Sequence, residues 1–243
     1  MLTHKHTLIL FILLIGSFGC QKDTNDSFIC YTVDTKSQNI HFYWLDDAGK
    51  NIGSIQNLKT YVESKGEKLV FATNGGMYNK EASPQGLFID QYKIQTPLDT
   101  TSGTGNFYML PNGVFAITSD NVPIICKTEN FKEKGLIRFA TQSGPMLVID
   151  GEIHPAFKKG SQNTHIRNGV GILPDGKAIF VMSKSKVNFY DLAFFFKSLG
   201  CKDALYFDGY VSRTYLPEKD WIQTDGNFGV IIAVIEPFVT FAH

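Results

Sequence analysis

Short apolar runs broken by turn residues recur from residue 28 to residue 235, and this pattern limits the chain more than any other feature. The runs at Phe28–Val33, Ile40–Leu45, Leu69–Thr73, Gly86–Asp90, Val114–Thr118 and Val122–Lys127 have the length and side-chain content of strands. So do Leu136–Thr141, Met146–Asp150, Gly169–Leu173, Ala178–Ser183, Ala204–Phe207 and Phe228–Ile235. Pro111-Asn112-Gly113, Asp150-Gly151 and Pro174-Asp175-Gly176 predict three hairpins. Two segments have helical spacing instead. Asn57–Lys65 gathers Leu58, Tyr61 and Val62 on one face and ends before Gly66. Phe189–Leu199 gathers Leu192, Phe195, Phe196 and Leu199, with Asn188 as N-cap and Gly200 as stop. The expected fold is therefore α+β, a mixed β-sheet core with few helices. The 20 Phe and 10 Tyr suit such a core.

Each predicted helix lies between two strand-like runs, so each reads as the crossover of a strand–helix–strand unit with parallel strands. Each unit delivers a polar loop at the carboxyl end of its second strand, where ligand sites gather in sheets of this kind. The first loop is Asn74-Gly75-Gly76-Met77-Tyr78-Asn79 and the second is Asp208-Gly209-Tyr210-Val211-Ser212-Arg213. Two such loops on one rim form one cleft. Asp208 ends an apolar run, where a carboxylate is costly unless hydrogen-bonded or facing a cleft; the alternative is a plain Asp-Gly turn. Glycine amides at Gly75 and Gly76 can hold an anion, and Asn74 can donate to a hydroxyl or a phosphate; a structural turn is again the alternative. Arg167, just before Gly169–Leu173, has the fork that suits phosphate, and Arg213 and Lys184 are further cations near these loops. His165 can shuttle a proton. Gln142 and Ser143, before Gly144-Pro145, face either ligand or water.

The ends and the charge set the compartment and the partners. Lys5 starts a short basic segment, Leu8–Ile15 is apolar, and Gly16–Gly19 is small-residue rich, which reads as a signal peptide over residues 1–19. The apolar run is too short to span a bilayer. The segment ending at Cys20 resembles a bacterial lipoprotein signal, with Ser17 departing from the usual aliphatic residue. That resemblance implies acylation of Cys20, a tether over residues 20–27 and a membrane-anchored protein of the cell envelope. The whole chain carries 23 basic and 23 acidic residues; without Lys5 the balance is 22 against 23, which argues against nucleic acid as a partner. Cys30, Cys126 and Cys201 are too widely spaced for a zinc site or a disulfide framework and read as buried thiols. No Gly-x-Ser-x-Gly elbow, His-Glu-x-x-His motif, metal site or cofactor motif is present.

Phe71-Ala72-Thr73-Asn74-Gly75-Gly76-Met77-Tyr78, Gln142-Ser143-Gly144-Pro145-Met146-Leu147 with Asp150-Gly151, Arg167-Asn168-Gly169-Val170-Gly171 and Leu205-Tyr206-Phe207-Asp208-Gly209 follow one another in the order found in phosphodiester glycosidases. About residues 67–236 thus resemble that family, which includes the uncovering enzyme of phosphomannose groups, and the domain that would carry them is expected over residues 28–243. The resemblance implies hydrolysis of a sugar 1-phosphodiester at its glycosidic bond, with Asn74, Arg167 and Asp208 as catalytic residues. It implies a small-molecule or glycan phosphodiester substrate, with Gly75, Gly76, Gln142, Ser143, His165, Tyr210, Ser212 and Arg213 lining its site. Here Tyr210, Arg213 and Tyr215 replace the small residues that follow the aspartate in many relatives, so the substrate need not be the same. A metal-dependent phosphodiesterase and a non-catalytic glycan-binding lipoprotein are the competing readings.

Overall fold

The computed structural model describes residues 24–132, 136–208 and 211–238. The signal segment, Cys20, Gly209 and Tyr210 lie outside them. The strands, in chain order, are β1 (Phe28–Val33), β2 (Asn39–Tyr43), β3 (Glu67–Asn74), β4 (Phe88–Asp90), β5 (Lys93–Thr96), β6 (Gly113–Thr118), β7 (Pro123–Lys127) and β8 (Ile137–Ser143). They continue with β9 (Met146–Ile149), β10 (Glu152–Ile153), β11 (Asn168–Ile172), β12 (Ala178–Ser183), β13 (Ala204–Tyr206), β14 (Thr214–Leu216), β15 (Trp221–Ile222) and β16 (Ile231–Pro237). Helix α1 spans Ile55–Ser64 and α2 spans Phe189–Ser198.

Three sheets enclose the core. Their strand orders are β1-β12-β11-β13-β9-β10, β15-β14-β3-β16-β2 and β5-β4-β8-β6-β7. The fold is α+β, sheet-dominated with few helices, as expected, and every ladder between named strands is antiparallel. The two crossover units survive in altered form. Strands β2 and β3 run parallel, but β16 lies between them; β12 and β13 run parallel, with β11 between them. A helix thus spans one intervening antiparallel strand in each unit.

Alternation along the strands explains the layering. Phe71, Ile232 and Val234 face the central core, while Ala72, Ile231 and Ala233 face α1. In the largest sheet, Phe180, Val170 and Leu205 point inward, and Ile179, Val181, Ala204 and Tyr206 point outward beneath α2. Phe42 stacks on Phe115 and Phe139 at centroid distances of 5.5 and 5.3 Å, and Phe71 meets Phe180 at 5.3 Å, so the three sheets share one aromatic centre. Burying each such ring stabilises the fold by roughly 1.5–3 kcal/mol relative to exposure. Gly171 lets α2 seat on the sheet, since a Cβ there would lie 2.7 Å from Phe196 and 2.8 Å from Cys201.

The helix signals held. Asn188 Oδ1 accepts from Asp191 N at 2.9 Å, and Gly200 adopts φ +81° just after α2. Helix α1 begins two residues earlier than expected because Ser54 caps it, accepting from Asn57 N at 3.1 Å. Asp150-Gly151 and Pro174-Asp175-Gly176 do turn hairpins, β9–β10 and β11–β12. Pro111-Asn112-Gly113 does not: it leads into β6, whose neighbours are β7 and β8. At the amino end, Thr24–Ser27 forms a single 3₁₀ turn, with Asp26 paired to Lys184 at 3.0 Å, where the sequence predicts a flexible tether. Cys30, Cys126 and Cys201 are free thiols. Burial pushes Cys30 up to about 11 and Cys201 up to about 12.

Candidate functional site

The carboxyl ends of β3 and β13 meet at one rim, and a buried asparagine ties them together. Asn168 opens β11 on its inward face. Its Nδ2 donates to Asn74 Oδ1 at 2.9 Å, Asn74 O at 3.0 Å and Thr73 Oγ1 at 3.0 Å. Its Oδ1 accepts from Asp208 N at 3.2 Å and from Asn74 Nδ2 at 3.3 Å. Asn74 Oδ1 also accepts from Arg213 N at 3.0 Å, and Thr73 Oγ1 donates to Arg213 O at 3.0 Å. The buried Ser212 hydroxyl lies against Asp208 O, with Ile166 O and Asn168 Oδ1 each 3.3 Å away. Two stretches far apart in sequence are therefore locked in register by side-chain amides.

Arg167 precedes Asn168, so alternation turns its side chain to the opposite face, under α2. It is only 1% exposed. Its Nε donates to Val187 O at 2.9 Å, Nη1 to Tyr206 Oη at 3.1 Å, and Nη2 to Asn163 O and Oδ1 at 3.1 and 3.2 Å. The guanidinium lies 3.8 Å from the Phe189 ring centroid and 5.5 Å from that of Tyr206. Arg167 belongs to none of the ion pairs formed among the described residues. Burial lowers its pKa, while Tyr206 acts to raise it.

The β11–β13 pairing puts Gly169 opposite Tyr206, and Phe207 N donates to Asn168 O at 3.2 Å, which carries the pairing one residue further, to just before Asp208. Tyr206 is pushed well above the usual phenol range, first by burial; Arg167 opposes that rise and Asp208 adds to it. Burial and then Asp208 likewise raise Tyr78, on the loop after β3. Asp208 itself is partly exposed. The rim thus presents the Asp208 carboxylate near the phenols of Tyr78 and Tyr206.

Several expected ligand contacts are occupied within the protein. Gly75 N donates to Val230 O at 2.9 Å, so it is not an anion-holding amide; Gly75 and Gly76 are small because Ile232 and Thr141 press on them. Gln142 Oε1 accepts from Leu87 N and Asp99 N at 3.0 and 2.9 Å, and its Nε2 donates to Asp99 O at 2.7 Å. Its amide therefore pins the 96–99 loop. Ser143 Oγ donates to Phe207 O at 3.1 Å, bracing the strand that carries Asp208. Asn74 and Arg167 are both buried, where the sequence resemblance implied direct contact: Asn74 bonds Asn168 and Arg213 N, and Arg167 is enclosed under α2. Asp208, the exposed His165 and the partly exposed Arg213 remain within reach of a ligand. Arg213 forks onto Asp225 through Nε and Nη2, both at 2.7 Å.

Asn168, Thr73, Asn163 and Tyr206 were not singled out from the sequence. A polar residue immediately before the apolar run Gly169–Leu173, in phase with inward Val170, was the available signal for Asn168. Nothing local marks Tyr206 as the partner of Arg167.

The sequence model for phosphodiester glycosidases matches residues 67–230. The uncharacterised Escherichia coli K12 protein YigE is 37% identical over 187 residues, covering 76% of this chain and 73% of its own length. The zebrafish N-acetylglucosamine-1-phosphodiester α-N-acetylglucosaminidase catalytic domain, auto-inhibited by its pro-peptide, superimposes with a TM-score of 0.53 at 14% identity, covering 86% of this chain and 88% of that one. A hypothetical Synechocystis protein gives 0.54 at 13% identity over 86% of this chain and 59% of that one. An inferred exported protein of Burkholderia pseudomallei K96243 gives 0.54 at 9% identity, over 85% and 73%. At these identities the structural likeness speaks for the fold. Among the described residues, no helix is long and apolar enough to cross a membrane.

Proposed function

Because this chain belongs to the phosphodiester glycosidase family, we propose that it hydrolyses the bond between the anomeric carbon and the phosphate oxygen of a sugar 1-phosphodiester. The observation that carries this reading is the Asn168 bridge, which fixes Asp208 against the Asn74–Arg213 rim. Water adds to the anomeric carbon, the carbon–oxygen bond breaks, its electron pair leaves with the phosphomonoester, and the proton lost by the water passes to solvent or to that phosphate. A phosphomonoester has a second pKa of about 6, so its departure needs little protonation. The main demands are a carboxylate facing the developing positive charge and a cation for the phosphate.

Asp208 supplies the carboxylate. Arg213 supplies the cation: its fork already holds a carboxylate, and two phosphate oxygens present the same bidentate geometry. Arg167 acts from below as a positioning residue, holding the Tyr206 hydroxyl and setting a positive field under the rim. Asn74 fixes the backbone of Arg213. Cys20 acylation would keep this site at a membrane surface.

The test is turnover of a panel of sugar 1-phosphodiesters in ¹⁸O-labelled water. The label is expected in the sugar, with none in the phosphomonoester, and Asp208→Asn is expected to abolish turnover without lowering the melting temperature. Label in the phosphate would mean phosphorus–oxygen cleavage and would sink the reading. Full activity of Asp208→Asn would remove Asp208 from the chemistry.

A further inference from the structure

A second concave surface lies between the β2 edge and the β4–β5 hairpin, a groove of about 320 Å³. Tyr43 and Tyr61 form one wall, their rings edge to face at 6.3 Å, and His41 stacks on Tyr43 at 5.8 Å. Asp90, Gln91 and Gln95 form the opposite wall. Asp90 is partly buried, yet no hydrogen bond or ion pair among the described residues reaches its carboxylate, and no hydrogen bond reaches the Gln91 or Gln95 amides. Burial pushes Asp90 upward. A half-desolvated carboxylate facing aromatic rings lacks the donors that would offset its desolvation.

We propose that this groove binds a neutral saccharide. Sugar rings present apolar C–H faces that fit tyrosine and histidine rings, and their hydroxyls donate to a carboxylate and bond both ways with amides. The charge on the groove selects against phosphate. Asp46, Asp47 and Asp90 line it, against two cations beside them, Lys65 paired to Asp47 and Arg138 near His41. The same charges disfavour a peptide strand adding to the free β2 edge. Asp47 also accepts from Tyr61 Oη at 2.6 Å, which holds that ring in place. The groove borders the loop after β3, because Trp44 Nε1 donates to Ala82 O at 3.1 Å. It can hold saccharide whether or not Asp208 hydrolyses anything.

The full chain should be titrated with tri- and tetrasaccharides of glucose, galactose and N-acetylglucosamine, by calorimetry and tryptophan fluorescence. At least one of them is expected to bind, with affinity falling roughly tenfold or more in Asp90→Ala and in Tyr43→Ala. Asp90→Asn retains the shape and part of the hydrogen bonding and controls for misfolding, as do the melting temperatures of all three variants. No binding by any saccharide in the panel overturns the proposal, as does affinity unchanged in well-folded Asp90→Ala and Tyr43→Ala. An extended peptide that binds at the β2 edge while saccharides do not also overturns it. Because the readout is binding, failure here leaves the hydrolase reading intact, and loss of turnover there leaves this one intact.

Discussion

Replacing Asn168 by alanine removes the amide that joins the two rims. The side chain is 2% exposed and uses both ends of its amide. Its two N–H groups serve Asn74 and Thr73, and its oxygen serves Asp208 N and Asn74 Nδ2. Arg213 N still satisfies Asn74 Oδ1 after truncation, and Thr73 keeps Arg213 O. Asp208 N–H and the Asn74 amide each lose their bond to the Asn168 oxygen. At about 1–3 kcal/mol for each lost bond to a buried group, the loss is about 4 kcal/mol. For a chain of this size that lowers the melting temperature by roughly 10 °C. Asn168→Asp should be no better, since it turns an acceptor toward Asn74 O and buries a charge. Urea unfolding followed by tryptophan fluorescence measures the first effect, and turnover of the phosphodiester panel measures the second. A loss below about 1 kcal/mol with normal turnover would show that the rims stay in register without the bridge, and the reasoning from its geometry would be refuted.

Arg167→Lys should destabilise the chain by about 2–4 kcal/mol, because one ammonium cannot replace contacts to Val187, Tyr206 and Asn163; thermal melting would detect it, and an unchanged melting curve would mean the fork is dispensable. His41 is held at about 4, below its ordinary 6.5, first by burial and then by Arg138. It therefore contributes stability that is full above pH 6.5 and is lost as the pH falls toward 4, at most about 3 kcal/mol. Urea midpoints at neutral and mildly acid pH should show this slope in the parent and a flatter one in His41→Gln; equal slopes would exclude His41 as its source. Asp225→Ala removes the partner of a partly exposed arginine and should cost less than about 1 kcal/mol by chemical denaturation. It frees the Arg213 fork and should tighten phosphate-monoester inhibition; weaker inhibition would argue that Arg213 does not meet phosphate.

Much of the fold was legible because its signals are local. Phe28–Val33 and Ala178–Ser183 are found at the expected bounds, and Asn188 and Gly200 delimit α2. Sheet order was not legible. Which strand lies between β2 and β3 depends on residues beyond 230, and no local pattern reports that pairing. The short strands at Lys93–Thr96 and Thr214–Leu216 lack an apolar run and follow from their neighbours. At the site, the resemblance picked out Asn74, Arg167 and Asp208; Asn74 and Asp208 both bond to Asn168, while Arg167 lies buried under α2. Their exposure could not be read, because the opposite facing of Arg167 and Asn168 matters only once α2 covers one side of the sheet. Gln142 illustrates the same gap: an amide in a loop looks available until the backbone of Leu87 and Asp99 takes its oxygen.

The insertion of β16 between β2 and β3 fixes the order in which the molecule can assemble. Ile231 pairs with Asn74 on one side and with Tyr43 on the other, so the last described strand completes a layer begun by some of the first. A growing chain that has not yet emitted residues past 230 holds two bare strand edges and a half-covered α1. Closure must await synthesis of the far end, which makes folding slow and strongly non-local. The rim that carries Asp208 cannot be set before that moment, so premature termination should yield an insoluble, inactive product rather than a weakened one.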